Sequence, residues 1–149
     1  MRTFTTIEDL EAAVGESLGY TEWLEITQER VDTFAEATGD FQWIHVDVEK
    51  AKDGPFGGTI AHGYLTLSLI PTFSAQLFAL DTPGAKLNYG SNKVRFMNPV
   101  LVGKRIRATA TVTKFEEIKS GRQLTVSYTI EIEGADKPAM IAETITLLL

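Results

Sequence analysis

The stretch HGYLTLSLIPTFSAQLFAL, residues 62–80, contains no charged side chain. Drawn as an α-helix it is about 28 Å long, and it is apolar around most of its circumference, which predicts a helix enclosed on several sides. Pro71 is expected to bend that helix. About eighteen apolar residues can span a bilayer, but polar side chains interrupt this run. We therefore predict a helix buried inside a protein domain, and no membrane span.

The sequence after residue 81 alternates between apolar and polar residues in successive segments. Such alternation is typical of strands that bury one face, and turn signals rich in Gly, Pro, Asn and Asp separate the segments. The predicted strands are residues 86–98, 105–117, 123–133 and 139–149. Strands joined by short turns form antiparallel sheets. A long apolar helix followed by such strands predicts an α+β fold in which the sheet wraps the helix.

Shorter elements are predicted in the first 60 residues. Thr27 precedes a helical apolar pattern that Gly39 ends, as residues that cap a helix would. The other predicted elements are a helix over residues 6–14, a strand over 20–26, a loop over 40–46 and a helical turn over 47–52. Repeats, low-complexity tracts and linkers are absent from the sequence, which indicates one domain over residues 1–149.

The composition excludes several classes of protein. With 149 residues, 44% hydrophobic and 23% charged, the chain is an ordinary globular protein and not a disordered one. It has no cysteine, so disulfides, thiolate nucleophiles and cysteine-bound metals are excluded. It has two histidines, so proton transfer by imidazole must use His45 or His62. The amino terminus lacks an apolar signal segment, and a cytoplasmic location is expected.

The formal charge of −6 is unevenly distributed. Residues 1–60 carry 13 acidic and 4 basic side chains, whereas residues 82–115 carry seven basic side chains and no acidic one. This basic stretch suits a small anionic ligand, or it is a solvated strand face. Nucleic-acid binding is not expected, because it usually requires a basic domain overall.

Asp40 and His45 lie in one predicted loop. A curled loop could bring the carboxylate and the imidazole together, with Phe41, Trp43 and Ile44 excluding water around them. Desolvation would then raise the pKa of the aspartate and lower that of the histidine, as acid–base catalysis near neutral pH needs. The alternative is structural: Asp40 caps the next turn, and His45 is a hydrogen-bonded loop residue.

The stretch around this pair resembles the hydratase motif of MaoC-like (R)-specific enoyl-CoA hydratases. That motif has an aromatic residue, a small residue, Gly-Asp-x-Asn-Pro, an aliphatic residue, His, and Ala or Ser after five more residues. The matching positions are Phe34, Thr38, Gly39, Asp40, Ile44, His45 and Ala51. Ala37, Gln42 and Trp43 depart from the motif, and the Gln-Trp-Ile-His version is similar to the NodN-like branch. Residues 59–64 and 95–100 also resemble family segments, so the resemblance covers nearly the whole chain.

The resemblance implies a hot-dog fold and the reversible hydration of a trans-2-enoyl-CoA to an (R)-3-hydroxyacyl-CoA. Asp40 and His45 would activate water and return the proton. The backbone N–H of Gly63, at the start of the long helix, would stabilise the negative charge on the thioester oxygen. No metal or redox cofactor is implied, and CoA or an acyl-carrier protein enters only as part of the substrate.

Seven residues are predicted to bind the substrate. They are Gln42, Trp43, His62, Tyr89, Asn92, Lys93 and Arg95. His62 is assigned to binding or to orienting the loop through hydrogen bonds, and not to proton transfer. Gly90 within a strand pattern predicts a bulge or a close approach of a ligand. The donors beside it would hold the phosphates or pantetheine of CoA, unless they form a solvent-facing strand that blocks aggregation. A metal site from His45, Asp47 and His62 is not expected, because no recognisable ligand spacing is present.

Two other functions stay open at this point. A thioesterase would also use a carboxylate and an oxyanion hole, although the Asp40–His45 pair disfavours it. A non-catalytic acyl-binding module would be consistent with the departures at Gln42 and Trp43. Fold alone does not separate these functions.

A homodimer is also expected. An open sheet of about five strands leaves edges that must be blunted or paired with another copy. The terminal residues 145–149 are too apolar for a free tail. The resemblance implies the same assembly, with two subunits paired edge to edge and the site near their interface.

Overall fold

One antiparallel sheet forms most of the structure. The computed structural model describes residues 1–149 and contains eight strands and six helices. The strands are β1 (Arg2–Phe4), β2 (Ser17–Tyr20), β3 (Leu24–Glu25), β4 (Phe78–Leu80), β5 (Lys86–Phe96), β6 (Arg105–Ile118), β7 (Gly121–Ile132) and β8 (Met140–Leu148). The helices are α1 (Ile7–Ala12), α2 (Gln28–Thr38), α3 (Trp43–Val46), α4 (Val48–Lys52), α5 (Gly63–Ser68) and α6 (Ile70–Leu77). The main sheet has the order β2-β6-β7-β8-β5, and β3 also pairs with β6.

The strands β6 and β7 bury one face against the helices, whereas β5 is exposed along most of its length. In β6 the side chains of Ile106, Ala108 and Ala110 are buried, while Arg107 and Thr109 between them are only partly covered. This period-two burial is the physical basis of the predicted alternation. Each of the four strands predicted after residue 81 is confirmed within two residues of its predicted ends. The α+β architecture is confirmed with them.

The predicted long helix is two shorter helices followed by a strand. α5 and α6 meet at Leu69, and Pro71 lies at the start of α6. Because proline has no N–H to donate to the preceding turn, it breaks the helical ladder where the bend was expected. The helix ends at Leu77 and not at Leu80, because residues 78–80 form β4, which pairs in parallel with β1. That partner lies more than seventy residues away, so the helical pattern did not reveal it.

Only one face of the central helices is enclosed, which corrects the expectation of cover on several sides. Leu65, Leu69, Phe73 and Leu77 recur every four residues and are at most 5% exposed. Tyr64, on the other face, is 69% exposed. Neither helix is long and apolar enough to cross a membrane.

Local capping determines where α2 begins and ends. The Thr27 side chain accepts a hydrogen bond from the backbone N–H of Arg30, and Gly39 ends the helix in the left-handed conformation with φ of 78°. Such a conformation suits glycine, which has no side chain to clash with the backbone. Both predicted caps are therefore confirmed. The helix predicted over residues 6–14 is also present, shortened to α1.

The predicted strand over residues 20–26 is divided in two. β2 and β3 both pair with β6, through Tyr20 with Thr109 and Leu24 with Ile106. Residues 21–23 thus face only residues 107–108 of β6, so one extra residue must bulge out. Thr21 stabilises this irregularity, because its hydroxyl accepts a hydrogen bond from the backbone N–H of Ala108 at 2.9 Å.

Candidate active site

Asp40, His45 and His62 converge where α2 ends and α5 begins. The turn at Gly39 leads into Asp40, and α3 carries His45 in a single helical turn that the sequence predicted as loop. One side-chain ligand atom from each of the three residues lies within 4.8 Å of the others. Asp40 is exposed, whereas His45 and His62 are buried. The loop therefore brings the carboxylate and the imidazole together, as its sequence predicted.

The hydrogen bonds of His45 identify its protonated nitrogen. Its Nδ1 lies 2.6 Å from the carbonyl oxygen of Ile60. A carbonyl oxygen can only accept, so Nδ1 carries the proton and Nε2 has the lone pair in the neutral ring. Burial lowers the pKa of His45, and this effect outweighs the opposite influence of the Ile60 carbonyl; His62 lowers it further and Asp40 raises it. The ring is therefore held in its neutral, basic form at neutral pH.

Folding stability should fall in mild acid because of His45. The unfolded chain protonates this ring near its ordinary pKa of about 6.5, whereas the folded protein resists protonation until the pH is lower. The unfolded state then binds more protons, so stability decreases as the pH falls from about 6.5 to the folded pKa and is constant above that window. Urea unfolding at several pH values should show this loss in the wild type and a smaller loss in His45→Gln. Parallel pH profiles for the two proteins would contradict the assignment.

His62 lies behind the pair and holds the loop. Its Nε2 lies 3.0 Å from the backbone carbonyl oxygen of Asp40, to which it donates. Its ring stacks on that of His45, with centroids 3.9 Å apart and planes 24° apart, and it also contacts Phe34. His62 is 2% exposed, and its Nδ1 has no hydrogen-bond partner. These contacts agree with the expected loop-orienting role and leave little of the ring available to a substrate.

The stacking of the two histidines disfavours a shared metal ion. A metal accepts the lone pair of an imidazole in the plane of its ring, at about 2.0–2.1 Å for zinc. Two nearly parallel rings direct their lone pairs along separate planes, which do not meet at one ion. Nδ1 of His45 and Nε2 of His62 donate to carbonyl groups, so Nε2 of His45 and Nδ1 of His62 carry the lone pairs of the neutral rings. The geometry thus suits proton transfer better than metal binding.

A cavity of about 280 Å³ opens beside His45. Gly63 lines it as the first residue of α5, where its backbone N–H has no acceptor within the helix. The Phe96 ring covers Gly63 so closely that a Cβ there would lie 3.1 Å from the nearest ring carbon. The rest of the lining is mostly apolar and consists of Phe56, Ile60, Ala61, Thr66, Met97, Asn98, Pro99, Val100 and Ala139. The cavity therefore combines a base, a free N–H donor and an apolar wall.

Phe41 and Trp43 do not exclude water from the site as predicted. Phe41 is 52% exposed. Trp43 packs against Gly54, and its ring lies 4.6 Å from the ammonium group of Lys50. The apolar cover over His45 comes instead from the distant segments that line the cavity. Gln42 is exposed and makes no capping hydrogen bond through its side chain, so its amide is free for a ligand.

The predicted substrate-binding residues on β5 lie along an exposed edge strand. The register shifts on both sides of Gly90, which confirms the predicted irregularity there. Tyr89 lines a second cleft of about 660 Å³ between β5 and α6. Asn92 donates a hydrogen bond to Glu143 at 2.7 Å, and Arg95 donates to the carbonyl of Val94. The structure therefore brings Asp40, His45, His62 and Gly63 together and leaves the β5 residues on the strand that leads to the cavity.

Pairing across the sheet neutralises part of the basic stretch over residues 82–115. Arg105 forms an ion pair with Glu133, the residue after β7, and Arg107 forms one with Glu131 on β7. The Lys86 ammonium group binds backbone carbonyls. Four basic side chains are thereby left for a ligand or for solvent, and they are Lys93, Arg95, Lys104 and Lys114.

Sequence reasoning missed two polar residues that brace the site. Gln28 donates a hydrogen bond to the carbonyl oxygen of His45 at 2.8 Å. The hydroxyl of Thr59 donates to the side-chain oxygen of Gln28 at 2.6 Å. These partners are 17 and 31 residues apart in the chain, so no local spacing pattern signals them.

Comparison with known proteins places these observations in a family. Residues 9–134 match the family described as MaoC like domain. The chain belongs to that family. The 3-hydroxyacyl-thioester dehydratase Z of Mycobacterium tuberculosis is 53% identical over 146 residues, which are 97% of each chain. Nodulation protein N of Rhizobium leguminosarum is 39% identical over 147 residues, covering 96% of this chain and 91% of that protein.

The MaoC-like assignment extends to the three-dimensional structure. The (R)-hydratase from A. caviae involved in PHA biosynthesis is 27% identical and superposes with a TM-score of 0.74, covering 91% of this chain and 96% of that one. The expected hot-dog fold is therefore confirmed: the sheet wraps the central helices α5 and α6. Both the NodN-like version of the motif and the hydratase resemblance agree with these relatives.

Proposed function

We propose that this MaoC-like protein is a hydro-lyase that reversibly adds water to a trans-2-enoyl thioester and forms an (R)-3-hydroxyacyl thioester. The observation that carries the proposal is the convergence of Asp40 and His45 within 4.8 Å of each other. It occurs beside a cavity that Gly63 also lines. Relatives that bear the names of dehydratases and hydratases support a lyase activity of this type.

One water molecule is proposed to bind between the two titratable groups. Two atoms up to 4.8 Å apart can both bind one water, because each hydrogen bond spans about 2.7–3.0 Å. Nε2 of His45 has a lone pair, and the Asp40 carboxylate has acceptor oxygens, so either can take a proton as the water oxygen attacks C3. The same pair returns a proton to C2. The net change is addition of OH at C3 and H at C2, and the two groups act as one coupled acid–base unit.

The backbone N–H of Gly63 is the proposed donor to the thioester oxygen. Attack at C3 moves negative charge onto that oxygen, and a donor already in place lowers the barrier without reorganising. The N–H at the first residue of α5 points out of the helix and has no acceptor within it. The glycine allows Phe96 to pack against this point, so an apolar wall lies beside the donor.

We propose that no metal or redox cofactor takes part, and that CoA or an acyl-carrier protein enters as part of the substrate. Hydration changes no oxidation state overall, so it needs no electron carrier. The stacked rings of His45 and His62 do not direct their lone pairs toward one metal ion. This supports proton transfer by Asp40 and His45 without a metal.

Crotonyl-CoA distinguishes this function from the alternatives. Loss of absorbance at the enoyl thioester band without release of free thiol is the expected result, because hydration removes the conjugated double bond and keeps the thioester. Thiol release would identify a thioesterase instead. Binding of crotonyl-CoA without either change would identify an acyl-binding module.

Lys93 and Arg95 are expected to bind the phosphates of CoA. They are two residues apart, exposed, and not engaged in an ion pair. Changing both to Ala should raise the KM for crotonyl-CoA more than it lowers kcat, as loss of uniform binding does. Added salt should raise the KM of the wild type, because exposed charges are screened over about 8–10 Å. A matched change of Lys104 and Lys114 to Ala should leave KM unaltered. An unchanged KM in the Lys93/Arg95 variant and across salt would assign these residues to a solvated strand.

A second copy of the chain is the proposed partner of the β5 edge. β5 pairs only with β8 and presents an unpaired edge, and an unpaired edge strand invites pairing with another chain. Large apolar side chains that are 47% to 69% exposed lie on or near it, namely Tyr64, Leu87, Tyr89, Phe96 and Met97. Because Phe96 and Met97 also line the cavity, this interface would lie beside the active site.

The apolar carboxyl terminus, as expected, is not a free tail, but the sheet of the same chain covers it, so it gives no support for a dimer. Its strand, β8, lies inside the sheet between β7 and β5. Light scattering at micromolar concentration should give about twice the chain mass of 16.4 kDa. A mass near 16.4 kDa would refute the pairing.

A further inference from the structure

We infer that Gln28 is a positioning residue for His45, and this inference rests on the proposed function. Two hydrogen bonds of the Gln28 side chain connect His45 with Thr59, and we call them the Gln28 bridge. The bridge comprises the Gln28 side chain, the backbone carbonyl of His45 and the hydroxyl of Thr59.

The chemistry of its partners orients the Gln28 amide. Its Nε2 donates to two groups at 2.8 Å each, the carbonyl oxygen of His45 and Oδ1 of Asp32. Neither acceptor can donate, so the NH₂ end must face them and the amide oxygen must face Thr59. Both amide hydrogens and the amide oxygen are therefore used, and rotating the amide would lose these bonds.

The bridge connects His45 to the segment that orients its ring. The ring donates through Nδ1 to the carbonyl of Ile60, the residue next to Thr59. The backbone N–H of Ile60 in turn donates to the carbonyl of Ile44 at 3.0 Å. Gln28 thus joins the backbone of His45 to the residue adjacent to its ring acceptor, through a third element, the first turn of α2.

Without the bridge, the position of His45 would depend on weaker constraints. α3 is a helix of four residues, and the carbonyl of His45 is at its end, where helix carbonyls have no partner within the helix. Gln28 supplies that partner. If the amide is removed, the turn can shift relative to Ile60, and a displacement of about 1 Å can cost up to 10²-fold in rate. The bridge therefore keeps the ring against the Ile60 carbonyl, with Nδ1 protonated and Nε2 as the nitrogen that can accept a proton.

Four variants separate positioning from general stabilisation. Gln28→Leu replaces the amide with an apolar side chain of similar size and removes every hydrogen bond of the bridge. Thr59→Val removes only the hydrogen bond between Thr59 and Gln28. Thr59→Ser keeps the hydroxyl and should restore function. Asp32→Ala is the matched control, because it removes an exposed partner of Gln28 and leaves the amide bound to both His45 and Thr59, so the bridge stays intact.

With crotonyl-CoA, Gln28→Leu and Thr59→Val should each lower kcat by about 10- to 100-fold with little change in KM. Thr59→Ser and Asp32→Ala should stay within about twofold of the wild type. In a His45→Gln background, Gln28→Leu should cause no further loss, because a residue that acts through His45 has nothing left to position. An equal loss in both backgrounds, or an equal loss in Asp32→Ala, would overturn the inference.

The ring itself provides a readout that does not depend on activity. Imidazole ¹⁵N NMR of the wild type at neutral pH should show His45 protonated at Nδ1 and His62 protonated at Nε2, with the His45 signals identified by their absence in His45→Gln. In Gln28→Leu and Thr59→Val the His45 signals should shift toward a mixture of both tautomers. A single unchanged His45 tautomer in both variants would overturn the inference. Because this measurement does not require hydration of crotonyl-CoA, failure of the inference can be distinguished from failure of the proposed function. If Gln28→Leu does not fold, the inference can be tested by comparing the His45 tautomer and the kcat of Thr59→Val with those of Thr59→Ser.

Discussion

Asp40→Asn and His45→Gln are each expected to lower the turnover of crotonyl-CoA by about 10²-fold or more, the usual scale of a lost general acid or base. The asparagine keeps the size of Asp40 and its hydrogen bond with the backbone N–H of Gln42, but it cannot accept a proton. The glutamine similarly fills much of the space of His45 and has no titratable nitrogen. Initial rates at the enoyl thioester band measure both effects.

Asp47→Asn provides the matched control for this pair. Asp47 lies in the same segment, but its carboxylate accepts a hydrogen bond from the backbone N–H of Lys50 and caps α4. Asparagine caps a helix about as well as aspartate, so activity should be close to that of the wild type. Near-normal turnover in a folded Asp40→Asn or His45→Gln protein would remove that residue from the mechanism. Because the two groups act on one water, the double variant should lose little more than either single variant.

Phe73→Ala should have the largest effect on stability among substitutions in the central helices. Phe73 is completely buried in α6, and truncating a buried phenylalanine to alanine typically costs about 3–5 kcal/mol through lost burial and the cavity left behind. For a chain of this length that corresponds to a fall in Tm on the order of 10 °C.

The neighbouring Thr72 is exposed, and Thr72→Ala should change the free energy of unfolding by no more than about 0.5 kcal/mol. Thermal unfolding of the two variants measures which face of the helix is enclosed. Equal losses for both would contradict the one-sided burial of α6.

Much of the active site could be predicted from local sequence. The caps of α2 depend on Thr27 and Gly39, which interact with residues three or four positions away. Asp40 and His45 are only five positions apart, and the turn at Gly39 comes directly before Asp40. Their approach therefore depends on a short segment of the chain. These features are encoded within one or two helical turns, and a pattern read along the chain detects them.

The electrostatic surroundings could not be predicted in the same way. The sequence predicts an uninterrupted basic stretch over residues 82–115, but Glu131 on β7 and Glu133 just after it pair with two of its arginines. The sequence predicts that Phe41, Trp43 and Ile44 exclude water around His45, but Phe41 is 52% exposed, and distant segments that line the cavity cover His45. In both cases the neighbour that matters belongs to another strand or segment, and its position follows only from the register of the folded chain.

The sequence by itself determined the α+β class, the strands β5 to β8, the capped helix α2 and the Asp40–His45 pair. It did so because periodicity and capping are short-range properties of the backbone. Only the tertiary structure decided that the central helix stops at Leu77, where β4 pairs with β1. It also decided that His62 stacks on His45 and that Gln28 joins His45 to Thr59. These contacts join residues from 17 to more than 70 positions apart, and such pairs meet only when packing of the whole core brings their elements together.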